Sequence, residues 1–375
     1  QIAGRRKSQF IAPFLLILLY LVYMILPSAM GWNPTISLLK ILLFVMVYFA
    51  YFGVCNRAAI HPQSSGARIR SVFLSFAAYF VIGSVLLIPF PMISIMGLDE
   101  FLPGELPVSL FKGMTVHSQS LGPAITSIAV VLYADLIFSV RRPDKLYLAR
   151  LLLCPVLIYK TSSRTAMGAF LIGIAFTTLL FIKARNISGR WCSRVLGTLA
   201  GLTILAVVMM FSIGSVRERA VSFIIKFDRD ARASDISFEN LTSTRQDAMA
   251  ESMRNFWESP AIGNGFQVMR FYKGMRAQRF SQLLSAPIEK GVWVTAILEE
   301  GGVFGMIIFL GVVLYVLFRL YMLRAYIGCS MFLTMLVLNL GEFTIFSLTA
   351  VGGLIWFSVF VGAVLDCLRI RQEAQ

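Results

Sequence analysis

Long runs of apolar residues, separated by short polar segments, dominate this sequence. A helix that crosses a bilayer needs about 20 apolar residues, and these runs reach that length without the alternation typical of strands. They predict ten transmembrane helices, at residues 9–30, 35–55, 71–97, 119–140, 146–160, 166–184, 195–214, 303–323, 326–349 and 350–368. The fifth is short, and the eighth is expected to have a longer interfacial start. The pattern predicts an all-α, polytopic membrane protein.

One connection between the predicted spans is far longer than the others. Residues 215–290 are rich in charge and contain no proline before Pro260, so the segment does not have the composition of a disordered linker. A long loop with its own structure usually carries function. The chain is therefore divided into helices one to seven (1–214), a structured loop (215–290) and helices eight to ten (291–375).

The net charge is +15, and the basic residues are distributed unevenly between the two sides of the predicted spans. If the N-terminus is cytoplasmic, the inside segments hold more than half of the 34 basic residues, and the positive-inside rule then predicts that both termini are cytoplasmic and the long loop is outside. The five cysteines fall at or near predicted cytoplasmic ends and form no CxxC pair, so neither a disulfide framework nor a metal site is expected. The charge indicates topology rather than binding of nucleic acid.

The stretch LTSTRQDAMAESMRNFWESPAIGNGF (241–266) predicts an amphipathic helix that ends at Ser259-Pro260 and packs on the membrane domain or its surface. Thr244 and Asp247 resemble a capping box, with Arg245 at the first helical position. Free N–H groups beside a guanidinium favour an anion site. The alternative is a surface arginine on a scaffolding helix.

Further polar residues lie at the predicted outer face. Arg164, in LIYKTSSRTAMG, follows a tight turn and either faces a cavity or extends to lipid phosphates. His117, just before the fourth span, is able to accept a proton from a hydroxyl, or is a plain hydrogen-bonding residue.

Carboxylates surround the entry to the eighth span. Glu289, Glu299 and Glu300 are expected to hold a basic group or to activate a hydroxyl. Alternatively they pair with the surplus arginines of the loop, which are Arg270, Arg276 and Arg279.

Motifs for nucleotide or metal chemistry are absent from the sequence. It contains no P-loop, GxGxxG, HExxH, GxSxG or DxD pattern, and the predicted cytoplasmic loops are too short to form a domain. No metal and no nucleotide cofactor is expected.

Three stretches in this order resemble the O-antigen ligase/polymerase superfamily of bacterial inner-membrane glycosyltransferases, which are C-type enzymes. SSRTAMGAFLIG (162–173) is similar to the family's arginine turn, STRQDAMAESMRNFWESPAIGNGF (243–266) to its loop arginine and following helix, and ILEEGGVFG (297–305) to its Glu-x-Gly entry to the next span. HSQSLGPA (117–124) is similar to a stretch of the exopolysaccharide-type branch. The likeness covers roughly residues 110–345.

The resemblance implies transfer of a glycan from an undecaprenyl-type diphosphate carrier to the sugar hydroxyl of another lipid-linked repeat unit. The reaction would invert the anomeric centre at the periplasmic side of the bacterial inner membrane. Arg164 and Arg245 would clamp the departing diphosphate, with a further cation from Arg270, Arg276 or Arg279. His117 or Glu289 would be the base. A chain-length regulator and a flippase are the protein partners that this chemistry suggests.

Two other functions compete with the polymerase. Ligases of the family carry a histidine late in the loop, whereas SAPIEKGVW (285–293) has none, which favours a polymerase over transfer to a different lipid acceptor. A lipid-linked glycan transporter or flippase belongs to another class. Transporters usually have repeated halves and polar groups at mid-membrane depth, and the sequence indicates neither.

Overall fold

The computed structural model describes residues 11–90, 93, 111–115, 118–138, 143–161, 163–185, 238–268, 290, 292–341, 343–347 and 350–373. Within these ranges the chain is helical and has no β-strand. The helices are α1 (Ala12–Met30, beginning with a 3₁₀ turn), α2 (Pro34–Ile60), α3 (Ala67–Leu86), α4 (Ser118–Phe138), α5 (Lys145–Lys160), α6 (Arg164–Ala184), α7 (Phe238–Phe256), α8 (Trp293–Met322), α9 (Tyr326–Leu338) and α10 (Ala350–Glu373).

Seven of these helices are long and apolar enough to cross a membrane, namely α1, α2, α3, α4, α6, α8 and α10. This part of the chain is therefore that of a helical membrane protein. Nine of the ten predicted spans overlap a described helix, and the seventh, 195–214, lies outside the described residues. The third prediction, 71–97, is too long, because α3 ends at Leu86 and a turn follows. At the fifth predicted span, helix α5 is short as expected, with 16 residues, and it is not among these seven.

Consecutive helices alternate in direction, so their ends collect at two ends of a bundle. At one end the N–H of Trp32 donates to the carbonyl of Asn264, and the N–H of Trp293 donates to that of Asn339. We call this the loop end. The other, the basic end, contains these cations and their neighbours: Arg70 with Asp135, Lys183 over the ring of Tyr321, and Arg369 with the carbonyl of Arg324.

Aromatic side chains fill the centre of the bundle between α1, α2 and α10. The hydroxyl of Tyr48 donates to the carbonyl of Phe14, and the Trp356 ring packs edge-on against Tyr48. Close approach of backbones tightens the packing of α9 on α10, where Gly328 faces Gly362. Such contacts hold helices together in lipid, where burial of apolar surface supplies little.

Helix α8 is broken at Gly302, whose φ of 65° and ψ of −166° are accessible only to glycine. The break leaves backbone groups unpaired, and the segment 260–265 satisfies them. The N–H groups of Val303 and Phe304 donate to the carbonyls of Pro260 and Ala261 at 2.9 and 3.2 Å. The N–H groups of Asn264 and Gly265 donate to the carbonyls of Glu299 and Glu300 at 2.9 and 3.1 Å. The segment 260–265 therefore forms hydrogen bonds with α8 on both sides of the break.

The break redirects the chain sharply. In a straight helix, Trp293 and Phe309 would lie about 24 Å apart along the axis, yet their ring centroids are 5.4 Å apart. The first limb of α8, residues 293–301, therefore lies across the loop end. It begins against Asn339, at the end of α9. Helix α9 has only 13 residues, about 20 Å.

The prediction for the ninth span, 326–349, is therefore too long. Its apolar run continues past Leu338, but residues 339–341 form a turn and residues 343–347 are not helical. Side chains satisfy part of that backbone: Asn339 Oδ1 accepts from the N–H of Thr344, and the indole of Trp356 donates to the carbonyl of Ile345. Irregular backbone is tolerated at membrane depth when protein surrounds it in this way.

Candidate functional site

Arg164 is the first residue of α6 and is half-buried at the loop end. The hydroxyl of Ser163 caps the helix by accepting from the N–H of Ala166 at 3.3 Å. Helix α4 lies directly beside this turn, since a Cβ on Gly122 would press on the side chains of Thr161 and Ser163. The start of α4 and the start of α6 are thus neighbours.

Arg245 lies within α7, but not at its N-terminus. The helix begins at Phe238, so Arg245 is seven residues into it, and the predicted start at Thr244 is wrong. The stretch FENLTST continues the helix, and Ser237, a residue type favoured at N-caps, directly precedes it in the sequence. The anion site expected from free N–H groups beside Arg245 therefore has no basis. The side chain of Arg245 is outside what the structure describes.

Five further predicted site residues lie outside the described residues: His117, Arg270, Arg276, Arg279 and Glu289. Their roles stay predictions. Two of them adjoin described backbone, because His117 directly precedes α4 and Glu289 directly precedes Lys290.

A buried ion cluster lies at the start of α8. The ammonium nitrogen Nζ of Lys290 is 3.4 Å from Oε1 of Glu299 and 3.0 Å from Oε1 of Glu300, and the three side chains are 4%, 3% and 0% exposed. Burial acts to lower the pKa of Lys290, but the two carboxylates outweigh it and raise that pKa above its ordinary value. Glu299 and Glu300 therefore hold a basic group, and that group is Lys290.

The cluster also fixes α7 in place. Asn255 donates from Nδ2 to Oε1 of Glu299 at 3.1 Å, and its carbonyl accepts from Nδ2 of Asn264 at 2.7 Å. The hydroxyl of Ser252 lies 3.5 Å from the carbonyl of Lys290. The last two turns of α7 are thus attached to the first limb of α8, as expected for a helix that packs on the membrane domain.

The segment after the helix is anchored to α1 and α2. The hydroxyl of Ser28 accepts from the N–H of Phe266 at 3.1 Å, and Ser37 donates to the Phe266 carbonyl at 2.9 Å. Lys40, buried in α2, donates from Nζ to the carbonyl of Gln267 at 2.9 Å. The GNGFQ stretch (263–267) is therefore anchored to both helices.

The turn Asn339–Gly341 connects Arg164 to the ion cluster. A Cβ on Gly341 would overlap the side chain of Thr165, so this turn touches the start of α6. On its other side, the carbonyl of Asn339 accepts from the N–H of Trp293, three residues after Lys290. The start of α6 and the start of α8 thus meet at one turn at the loop end, and helix α7 is attached to the first limb of α8.

Several buried donors here have no hydrogen-bond partner among the described residues. They are the hydroxyl of Tyr20, Nε2 of Gln267 and the indole nitrogen of Trp293. Tyr20 and Trp293 are neighbours, because the ring of Phe309 packs against both. Unsatisfied buried groups of this kind are usually hydrated, so the loop end is polar inside as well as at its surface.

No protein-family model matches the sequence, and a search of curated proteins finds no match. The described ranges contain no group of three or more His, Cys, Asp or Glu residues that could hold a metal ion. The loop end thus offers cations, hydrogen-bond donors and carboxylates as its chemical groups.

Proposed function

We propose that this protein is a bacterial polysaccharide polymerase that acts on O-antigen or exopolysaccharide repeat units. It transfers a glycan from a polyprenyl-diphosphate carrier to the sugar hydroxyl of another lipid-linked unit. One observation carries the proposal: the starts of α6 and α8 meet at the turn Asn339–Gly341 at the loop end, and helix α7 is attached to the first limb of α8. These elements hold Arg164 and Arg245, the two arginines that the family resemblance assigns to the diphosphate.

The reaction needs positive charge where the carrier leaves. The acceptor oxygen attacks the anomeric carbon, the bond from that carbon to the diphosphate oxygen breaks, and its electrons remain on the diphosphate. Guanidinium groups of Arg164 and Arg245 stabilise this charge by bidentate bonds. The N–H groups at the start of α6 that Ser163 leaves uncapped act in the same direction. The acceptor proton passes to a base, His117 or Glu289.

Lys290 has a different task from the arginines. Its ammonium is committed to Glu299 and Glu300 inside the protein, so it positions α7 and the first limb of α8 rather than contacting the carrier. The segment that leads to Lys290 carries Glu289, and α7 carries Arg245. The cluster therefore joins the helix that carries Arg245 to the residue that follows Glu289 in the sequence.

Membrane location follows from the distribution of charge. The basic end is proposed to face the cytoplasm, with both termini there, and the loop end to face the periplasm. Lipid-linked donor and acceptor then reach the site from the outer leaflet. A flippase supplies the units, and a chain-length regulator is a further partner of such an enzyme.

Two alternatives differ from the polymerase in what they do with the glycan. A ligase would transfer it to a different lipid acceptor. A flippase would need polar groups along a path through the membrane, whereas the described buried ion pairs lie at the helix ends: the Lys290 cluster at the loop end, and Arg70–Asp135 and Arg369–Asp366 at the basic end. This distribution favours an enzyme.

Reconstitution separates the three functions. Purified protein in vesicles is supplied with polyprenyl-diphosphate-linked repeat units, and the products are resolved by chain length. Longer lipid-linked chains support the polymerase. Transfer only to an added foreign lipid acceptor supports the ligase, and movement across the bilayer without new glycosidic bonds supports the flippase.

A further inference from the structure

A cavity of about 60 Å³ opens at the basic end, far from the proposed active site. Helices α3, α4, α9 and α10 form its walls. The residues that line it are Ala67, Arg70, Asp135, Ile327, Leu365, Leu368, Arg369 and Gln372. Since one water needs about 10–15 Å³ of such space, the cavity has room for about four to six water-sized atoms, enough for one phosphate group.

Arg70 supplies one guanidinium to this cavity. Its Nε and Nη2 donate to Oδ2 of Asp135 at 3.1 and 2.8 Å, and its side chain is 24% exposed. Tyr147 lies 3.3 Å from the same carboxylate oxygen. The second terminal nitrogen of Arg70, Nη1, takes no part in the contact with Asp135. The ion pair therefore orients the guanidinium and leaves one of its edges for another group.

Arg369 supplies the second guanidinium and is only 6% exposed. Its central carbon lies 5.1 Å from the ring centroids of both Phe138 and Tyr326, two rings that stack on each other. Nη2 donates to the carbonyl of Arg324 and lies 3.4 Å from Asp366. Its Nε is buried and has no hydrogen-bond partner among the described residues. A buried guanidinium N–H of this kind is costly unless a ligand or water accepts from it.

We infer that this cavity binds the phosphate group of an anionic phospholipid. Two guanidinium groups and the amide of Gln372 offer donors that suit phosphate oxygens, and the many basic residues of this end attract anions. The apolar wall of Ile327, Leu365 and Leu368 suits the carbon atoms that adjoin the phosphate in a lipid rather than a free ion. Basic pockets between helices near a membrane surface are suited to lipid head groups.

The inference is independent of the glycosyl-transfer proposal, because it concerns the opposite end of the bundle. Its test uses the full-length protein in detergent and measures retained lipid by native mass spectrometry. The probes are phosphatidylglycerol, phosphatidylcholine and inorganic phosphate, added separately. Preferential retention of phosphatidylglycerol is expected. Equal retention of the zwitterionic lipid, or binding of inorganic phosphate as tight as that of the lipid, would overturn the inference.

Variants locate the site. Arg70→Gln combined with Asp135→Asn removes the ion pair without leaving an unpaired buried charge, and Gln372→Leu removes a donor and leaves both ion pairs intact. Each is expected to weaken phosphatidylglycerol binding, the double variant by about tenfold. Arg68→Gln is the matched control, since this exposed arginine is on α3 but does not line the cavity. If the double variant fails to fold, the Gln372→Leu variant tests the site by itself. Unchanged binding of phosphatidylglycerol to that variant would contradict the proposed site.

Discussion

At the scale of single residues, the buried ion cluster of Lys290, Glu299 and Glu300 has the largest energetic consequence. Two carboxylates without a neighbouring cation would be severely destabilised in this environment. The sequence does not reveal the cluster, because Lys290 is nine and ten residues before the two glutamates, whereas side chains that are neighbours on a regular helix are three or four residues apart. It arises only because the chain before Trp293 turns back along the first limb of α8.

Replacing Lys290 by methionine should destabilise the protein by about 3–5 kcal/mol, the usual effect of breaking a buried ion pair. Adding Glu299→Gln and Glu300→Gln to the same chain should restore much of that loss, since no buried charge then remains. Denaturant titration in detergent measures the free energy of unfolding of both variants. If the Lys290→Met variant is as stable as the wild type, the cluster is not a buried ion pair.

The pH dependence of the cluster follows from the raised pKa of Lys290. A group with a folded pKa above its unfolded value stabilises the folded state fully below the unfolded pKa, about 10.4 for lysine, and this stabilisation is lost as pH rises through the folded pKa. The stability difference between the wild type and the Lys290→Met, Glu299→Gln, Glu300→Gln variant should therefore stay level from pH 7 to about pH 10. A difference that already shrinks between about pH 7 and 9 would contradict it.

The arginines show what residue patterns can indicate. Arg164 was predicted to follow a tight outer turn, and it begins α6 after Ser163. Arg245 was placed at a helix start because Thr244 and Asp247 resemble a cap. Several residues of the stretch from Ser237 to Thr244 are acceptable N-caps, so cap chemistry alone could not choose among them.

At the scale of elements, the broken helix α8 is the most distinctive feature of the structure. Hydrophobic periodicity predicted its second limb, 303–323, closely, because that limb crosses the apolar region. The first limb is buried under α7 and the segment 260–265 instead. Its role depends on contacts distant in the sequence, which no local pattern contains. The early end of α9 also depends on such contacts, because side chains of the surrounding protein form hydrogen bonds with the backbone after Asn339.

Substitution of Gly302 by alanine should destabilise the protein by about 2 kcal/mol or more, since its backbone conformation is restricted to glycine and a Cβ would overlap the carbonyl of Ala261. Gly311→Ala is the control within α8: nothing lies near its Cβ, and alanine favours a helix interior. In detergent, the midpoint of thermal unfolding should fall below that of the wild type for Gly302→Ala and should not fall for Gly311→Ala. Equal midpoints would argue against the break at Gly302.

At the scale of the whole molecule, the arrangement separates two ends with different chemistry. Composition and charge were sufficient to predict a polytopic helical protein and its distribution of basic residues. They could not predict that the starts of α6 and α8 converge on the turn at Asn339, since this depends on how the helices pack.

Sidedness is testable by cysteine labelling. Glu258→Cys, at the loop end, should react with a membrane-impermeant maleimide in spheroplasts, whereas Arg185→Cys, at the basic end, should react only after permeabilisation. Both positions are exposed, and the unmodified chain serves as the control for its own five cysteines. The reverse pattern would place the proposed active site in the cytoplasm.

The most direct test of glycosyl transfer at the loop end is the rate of chain growth by reconstituted Arg164→Lys and Arg245→Lys variants. Lysine keeps the charge but loses the bidentate grip, so each variant should lose at least about tenfold in turnover, or roughly 1.4 kcal/mol of barrier. Arg254→Lys, at an exposed position of α7, is the matched control and should keep its rate. Wild-type rates in both test variants, with folding intact, would contradict the account.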